Sequence, residues 1–265
     1  MTERIDQIGF GGLRLIQEPT EFCYGVDAVI LADFAARQGG FCEENFEGRP
    51  IVPKRRGSQD CRAVDLGTGT GIIPLILSYK TTCSRLVGVE IQAGSCARAA
   101  RSAELNGLQE RVHFFCADVK NFCDEAGMEL LGSVELVTCN PPYKAQGSGI
   151  LSETDAERIA RHEVLCTIED VCQAASRLLR FGGRLCLCQR PERLCDTLCA
   201  MRSAGIEPKR VRFVQQRPAS APWLFLVEGK KGSKPYMTIE PPLLVEGEGG
   251  FSQEILRIYH KKENL

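Results

Sequence analysis

An α/β fold built on a mostly parallel sheet is what the sequence predicts, and three observations carry the prediction. Apolar runs at Arg62 to Val64, Arg85 to Glu90, Arg111 to Cys116 and Ser133 to Cys139 alternate with helical stretches, the pattern of parallel strands joined by crossover helices. A glycine-rich turn follows the first run. Polar side chains close the others, at Glu90, Asp118 and Asn140, and open α/β sheets bind ligands just outside the carboxyl ends of their strands.

Taken in order, Gly9 to Arg14 reads as a hairpin, and Phe22 to Ala32, with Tyr24, Gly25 and Asp27, as a loop entering a helix. Gly39 to Cys61 reads as an irregular loop that carries the basic run Lys54, Arg55 and Arg56. Next comes Asp65-Leu66-Gly67-Thr68-Gly69-Thr70-Gly71, which opens a helix over Ile72 to Tyr79, with Pro74 in its first turn, where a missing N–H costs nothing. Alternate glycines let the backbone pass close to a ligand. The dinucleotide fingerprint spaces its glycines G-x-G-x-x-G; here the third comes one residue early and an acid precedes the first. That favours a nucleoside bearing an amino acid, whose ammonium Asp65 would meet, over a pyrophosphate. S-adenosylmethionine (SAM) has that shape.

Glu90 ends the second strand, placed to accept ribose hydroxyls. Gln92 to Asn106 reads as a helix closed by Gly107. Asp118, after the third strand, suits two compatible roles: acceptor for the amino group of an adenine, and N-cap of a helix over Val119 to Ala126. The fourth strand runs into Asn140-Pro141-Pro142-Tyr143. An exocyclic amine or an amide is a poor nucleophile because its lone pair is delocalised. The Asn140 side-chain oxygen and a main-chain carbonyl of the rigid Pro141-Pro142 turn can each accept one N–H and localise that pair, while Tyr143 stacks on the flat face. A proline turn with Asn as its local hydrogen-bonding residue is the structural alternative.

Beyond that, Thr167 to Asp170 reads as a capping box opening a helix through Leu179 that stops at Gly182-Gly183. Arg184 to Gln189 is a fifth strand and Glu192 to Ser203 a helix. Val211 to Gln216 and Trp223 to Glu228 form a closing antiparallel pair.

These residues together resemble the class I SAM-dependent methyltransferases that methylate amino nitrogens, with a glycine-rich loop after the first strand and [N/D]-P-P-[Y/F/W] after the fourth. The resemblance implies a Rossmann-like, seven-stranded, mostly parallel sheet with one antiparallel strand. The segment Gly25 to Ala32, with Gly25 and Asp27 at signature positions, and the stretches Ala160 to Glu163 and Leu226 to Lys231 are similar to the bacterial family that methylates N6 of adenosine 37 in valine tRNA. It implies residues 1–38 as a hairpin and cofactor-covering helix and 62–265 as a methyltransferase core in one compact unit; the loop over 39–61, longer and more irregular than the family's usual connection, departs from the pattern. The cofactor contacts so implied are Tyr24, Gly25, Asp27, Asp65, Gly67, Gly69, Gly71, Glu90, Asp118 and Asn140. Asn140 to Tyr143 would carry the chemistry. Lys54, Arg55, Arg56, Arg161, His162, Lys230 and Lys231 are the candidates to meet RNA, the alternative being solvated basic faces and, around Arg161 and His162, a surface salt-bridge cluster.

Methylation of a protein glutamine uses the same tetrapeptide, but enzymes of that kind carry a helical domain where this chain reads as a hairpin. A DNA adenine methyltransferase would need a separate target-recognition segment that the sequence lacks. An RNA-binding scaffold with a SAM fold is the non-enzymatic reading, and an intact Asn140 to Tyr143 speaks against it.

Composition narrows the class. The chain has 265 residues, and none of its apolar runs is long enough to span a bilayer. The first residues lack the basic start and apolar centre of a signal peptide, so a cytoplasmic location is expected. Fourteen cysteines are scattered without a C-x-x-C pair; Cys186 with Cys188 and Cys195 with Cys199 read as small apolar core residues, and neither a metal nor a disulfide framework is expected. A net charge of −1 gives RNA no overall attraction, so any RNA surface must come from local basic clusters. Oligomeric state is not encoded in any feature we identify.

Overall fold

The computed structural model describes residues 3–20, 23–37, 43–44, 50–51, 61–141 and 166–260. It opens with an antiparallel hairpin, β1 (Arg4–Gly9) and β2 (Leu13–Gln17), whose turn closes with Gly12 N donating to Gly9 O at 3.2 Å. Helix α1 (Val26–Arg37) follows, then a two-rung pair β3 (Glu43–Glu44) and β4 (Pro50–Ile51) inside the expected loop. The alternating unit comprises β5 (Arg62–Leu66), α2 (Ile72–Lys80), β6 (Arg85–Glu90), α3 (Ala93–Leu105), β7 (Val112–Cys116), α4 (Val119–Phe122) and β8 (Val134–Cys139). After it come α5 (Ile168–Leu178), β9 (Leu179–Gln189), α6 (Leu194–Ser203), β10 (Ile206–Gln215) and β11 (Pro222–Lys231). The described chain ends with β12 (Thr238–Leu244), a short hairpin of β13 (Glu246–Gly247) and β14 (Gly250–Phe251), and α7 (Gln253–Ile258).

The main sheet has eight strands in the order β12-β10-β11-β9-β8-β5-β6-β7, and only β11 runs against its neighbours. The single reversed strand agrees with the sequence reading; the expected count of seven does not. The eighth strand is β12, parallel to β10, and its Pro241 and Pro242 explain the miss. Proline cannot donate to a ladder, so such a run reads as a breaker, yet an outermost strand tolerates it.

Other boundaries moved as well: β10 begins five residues before the expected Val211, and β11 extends to Lys231. The helix after Asp118 stops at Phe122 because the chain folds back, with Gly127 N donating to Phe122 O at 2.7 Å. β9 begins at Leu179, five residues before the expected Arg184, because the Gly182-Gly183 pair forms an irregularity within the strand, seen as a register shift against β8 between Val134 and Leu136. The capping box is as read: Asp170 N donates to Thr167 Oγ1 at 3.2 Å and Thr167 N to Asp170 Oδ2 at 2.9 Å.

Helices sandwich the sheet. One apolar layer joins the hairpin, α1, α2 and α7; the other joins α4, α5 and α6. Each fully buried Leu or Ile here contributes on the order of 1.5–3 kcal/mol of transfer free energy. The hairpin docks on the end of α3, where Asn106 accepts from Arg14 N at 2.9 Å and donates back to Arg14 O at 2.7 Å.

Helix α1 is buried continuously from Asp27 to Ala36, which puts charge in the core. Asp33 is held by Lys80 at 2.7 Å, both side chains 4% exposed, and by Arg37. On the β11 side, Arg210 covers the Phe34 ring at 3.7 Å, donates to Phe34 O at 3.0 Å and pairs with Glu228 at 3.0 Å. At the start of β5 and β6, Cys61 and Cys83 are joined as a disulfide, with Cα atoms 4.4 Å apart. The sequence reading expected no disulfide framework; parallel pairing of the two strands, which no local pattern shows, brings these two cysteines side by side.

Candidate active site

The carboxyl ends of β5, β6 and β8 converge. The glycine-rich loop leaves β5 with Gly67, Gly69 and Gly71 at φ of 69°, 55° and 80°, left-handed values that glycine adopts without penalty. At Gly71 space demands it too, since a Cβ would lie 2.7 Å from Phe114 and 2.9 Å from Ala99. At Gly67 and Gly69 a Cβ would meet nothing within 4 Å, so the loop faces open room. Glu90 pins this loop: one carboxylate oxygen accepts from Gly69 N at 2.8 Å, the other from Gln92 N at 2.9 Å. Each oxygen keeps a lone pair for a further donor.

Asp65 lies beneath, 2% exposed. Thr138 Oγ1 donates to its Oδ1 at 2.6 Å, while Oδ2 is buried with no partner. Burial raises the Asp65 carboxyl to about 7, against an opposing hydrogen bond from Thr138 and a weaker downward pull from the nearby Thr68 hydroxyl, and with a further upward push from Glu90. A buried acceptor without a donor is costly unless a ligand supplies one. An ammonium fits it.

Asp118 does cap α4, accepting from Lys120 N at 2.9 Å, and its other oxygen lies 3.7 Å from the Lys120 ammonium. The bond from Ala117 N to Glu90 O, 3.0 Å, keeps this corner beside the end of β6.

Asn140 leaves β8 half-buried, followed by Pro141. Its amide nitrogen donates to Asp27 Oδ2 at 3.3 Å, and its Oδ1 accepts from the Cys188 thiol at 3.1 Å. Asp27 comes from the first turn of α1, and Gly25 makes room for it, since a Cβ there would stand 2.5 Å from Asp27 Oδ1. Tyr24 is tied in through its N–H, which donates to Gln17 Oε1 at 3.2 Å, and burial raises its hydroxyl.

The structure thus brings Tyr24, Gly25, Asp27, Asp65, the three glycines, Glu90, Asp118 and Asn140 to one end of the sheet. Thr138, Cys188 and Gln17 join them without having been singled out; nothing local in the sequence marks them. Pro142, Tyr143, Lys54, Arg55, Arg56, Arg161 and His162 lie outside the described residues.

Lys230 and Lys231 are not brought to this end. β11 runs opposite to β9, with Phe225 level with Gln189 and Lys230 level with Arg184. That puts both lysines at the far edge, roughly 17 Å along the strand from the site. Lys231 is engaged there, donating to Ser176 O at 2.6 Å and Leu179 O at 2.8 Å at the carboxyl end of α5. Lys231→Met is therefore expected to lower unfolding free energy by about 1–2 kcal/mol in urea titrations, through lost C-terminal capping, and to leave ligand affinity at the site unchanged. An unaltered midpoint would release Lys231 from this structural role.

Among the described residues, no three His, Cys, Asp or Glu side chains group to hold a metal ion, and no helix is long and apolar enough to cross a membrane.

Comparison with known proteins follows the same lines. The profile of a family described as "Methyltransferase domain" matches residues 58–217. The tRNA1(Val) (adenine(37)-N6)-methyltransferase of Porphyromonas gingivalis is 31% identical over 177 residues, covering 65% of this chain and 66% of that protein. The release factor glutamine methyltransferase of Chlorobaculum tepidum is 29% identical over 131 residues, 46% of this chain and 43% of that one. The chain thus spans less than two thirds of the length of either relative. A crystal structure from Agrobacterium tumefaciens, described as a "predicted O-methyltransferase", superposes with a TM-score of 0.65 over 88% of this chain and 95% of its own, at 23% identity, a likeness of fold alone.

Proposed function

From the premise that the chain belongs to the methyltransferase domain family, we propose that it is a SAM-dependent methyltransferase acting on the exocyclic N6 of an adenine in tRNA, adenosine 37 of the valine tRNA anticodon loop. The observation that carries the reading is Asn140, its side-chain amide held between Asp27 and Cys188 at the end of β8, the strand that pairs with β5, from which the glycine-rich loop leaves.

SAM supplies an electrophilic methyl group. The residues of this chain bind it and prepare the nucleophile. The unpartnered Asp65 Oδ2 receives an ammonium, the free lone pairs of Glu90 receive ribose hydroxyls, and the corner at Asp118 receives an adenine amino group through the carboxylate oxygen that does not cap α4. Gly67 and Gly69 leave room for the nucleoside. Asn140 Oδ1 and the Pro141 carbonyl each accept an N–H of the target amine and turn its lone pair toward the methyl group. Alignment supplies much of the acceleration. A strong base is unnecessary, because the nitrogen becomes acidic once methylated. In this reading Tyr143 stacks the base, and a cytoplasmic location follows from the substrate.

One feature favours RNA over a protein glutamine: the match to the tRNA enzyme is the longer, 177 residues against 131. Incubation with labelled SAM and separate tRNA, rRNA and protein pools tests the proposal. Label should enter tRNA as N6-methyladenosine. Label in protein alone would transfer the reading to glutamine methylation, and label nowhere would leave an RNA-binding scaffold.

Glu90→Ala should weaken SAM binding at least tenfold, since it removes acceptors for the ribose, each charged hydrogen bond being worth roughly 1.5–3 kcal/mol, and frees the Gly69 amide that anchors the loop. Calorimetric affinity equal to wild type would remove Glu90 from the pocket.

A further inference from the structure

Asn140 performs its part only if its oxygen, not its NH2 group, is the end offered to the amine. The two ends of a side-chain amide are nearly isosteric, so its surroundings must choose between them. Two buried groups flank Asn140. Asp27 Oδ2, from α1, lies 3.3 Å from the amide nitrogen, and Cys188 Sγ, from β9, lies 3.1 Å from the amide oxygen. Asp27 is 8% exposed and Cys188 fully buried. As a carboxylate, Asp27 can only accept, so it demands the NH2 end; the thiol carries a proton to give, so it suits the oxygen. The rejected orientation would set two acceptors against each other at Asp27.

Register explains the meeting. Cys139 of β8 is level with Leu187 of β9, so the next residues, Asn140 and Cys188, fall side by side. A thiol is a weak donor, so it orients the amide while leaving the oxygen's second lone pair for substrate.

We propose that Cys188 is a positioning residue for methyl transfer, which with Asp27 fixes the amide of Asn140 in the orientation that presents its oxygen to the target amine. The inference rests on the amino-methyltransferase reading. It holds equally for an adenine amine and a glutamine amide, because both need that acceptor.

Three variants separate donor from volume. Cys188→Ala removes the thiol, Cys188→Val keeps an apolar group of similar size without a donor, and Cys188→Ser restores one. Under single turnover with saturating tRNA, the Ala and Val variants should each slow transfer roughly tenfold, the effect of one lost orienting hydrogen bond, with SAM affinity and tRNA half-saturation within about twofold of wild type. Cys188→Ser should recover most of the lost rate. Wild-type turnover in Cys188→Val, or a serine variant as slow as valine, would overturn the assignment.

A second readout needs no substrate. In protein with 15N-labelled asparagine, the Asn140 NH2 resonances should shift or double in the Ala and Val variants and return in Ser; resonances unmoved by Cys188→Val would also overturn it. If wild-type protein labels only a protein pool, the tRNA reading fails while the same variants are scored on that substrate.

Discussion

Asn140→Ala is expected to cut methyl transfer by roughly two to three orders of magnitude while SAM affinity barely moves. The loss is that of one preorganised polar group at a reaction centre. The Asp65 and Glu90 contacts that we assign to SAM stay in place, because neither residue bonds to Asn140; the groups that do are Asp27 and Cys188. Single-turnover methylation of saturating tRNA, paired with calorimetric SAM titration, checks both halves. Near-normal turnover would sink the mechanism, and loss of SAM binding would make Asn140 a wall of the cofactor pocket instead.

Asp65→Asn should do the opposite to fold and function: steady the protein and empty the pocket. The carboxyl is raised from 3.8 to about 7 in the folded chain, first by burial. Between those values the unfolded chain has released a proton that the folded chain retains, so stability falls as pH rises and the penalty is complete above about pH 7. The rise corresponds to roughly 4 kcal/mol as an upper bound, and an amide NH2 in place of the unpartnered Oδ2 costs about 1–3 kcal/mol. A net gain of about 1–3 kcal/mol at pH 8, turning into a net loss of about 1–3 kcal/mol near pH 4, is the expected result in urea titrations. SAM affinity should drop about a hundredfold, for want of an anion to meet its ammonium. Wild-type affinity should itself weaken about tenfold per unit as pH falls below 7, because the acid must then lose its proton to bind. Equal stability of the two proteins at pH 8 would mean that Asp65 is not strained by burial.

What the sequence displayed and what it hid divide along a physical line. The glycine loop, Glu90, the capping box and the end of β8 were legible because each is local: conformation, cap or strand end is set within a few residues. Thr138 under Asp65, Lys80 beside Asp33 and Cys188 on Asn140 were not, being 73, 47 and 48 residues from their partners, joined only by strand register and helix docking. The basic pair Lys230-Lys231 was visible as charge, but the direction of β11, which decides which end of the sheet receives it, was not. β12 was hidden by its prolines.

Helix α1 carries an implication for synthesis. It is made before most of what holds it: α2, with the Lys80 partner of Asp33, follows soon after, but β9, β11 and Arg210, which lies on the ring and carbonyl of Phe34 176 residues further along, come late. Chains grow at about 5–20 residues per second. For several seconds a nascent chain therefore owns Asn140 and the glycine loop while the helix that delivers Asp27 has only α2 and β8 to rest on. The seat of α1 is complete only when β9 and β11 pair, so until then one face of this buried helix stays uncovered.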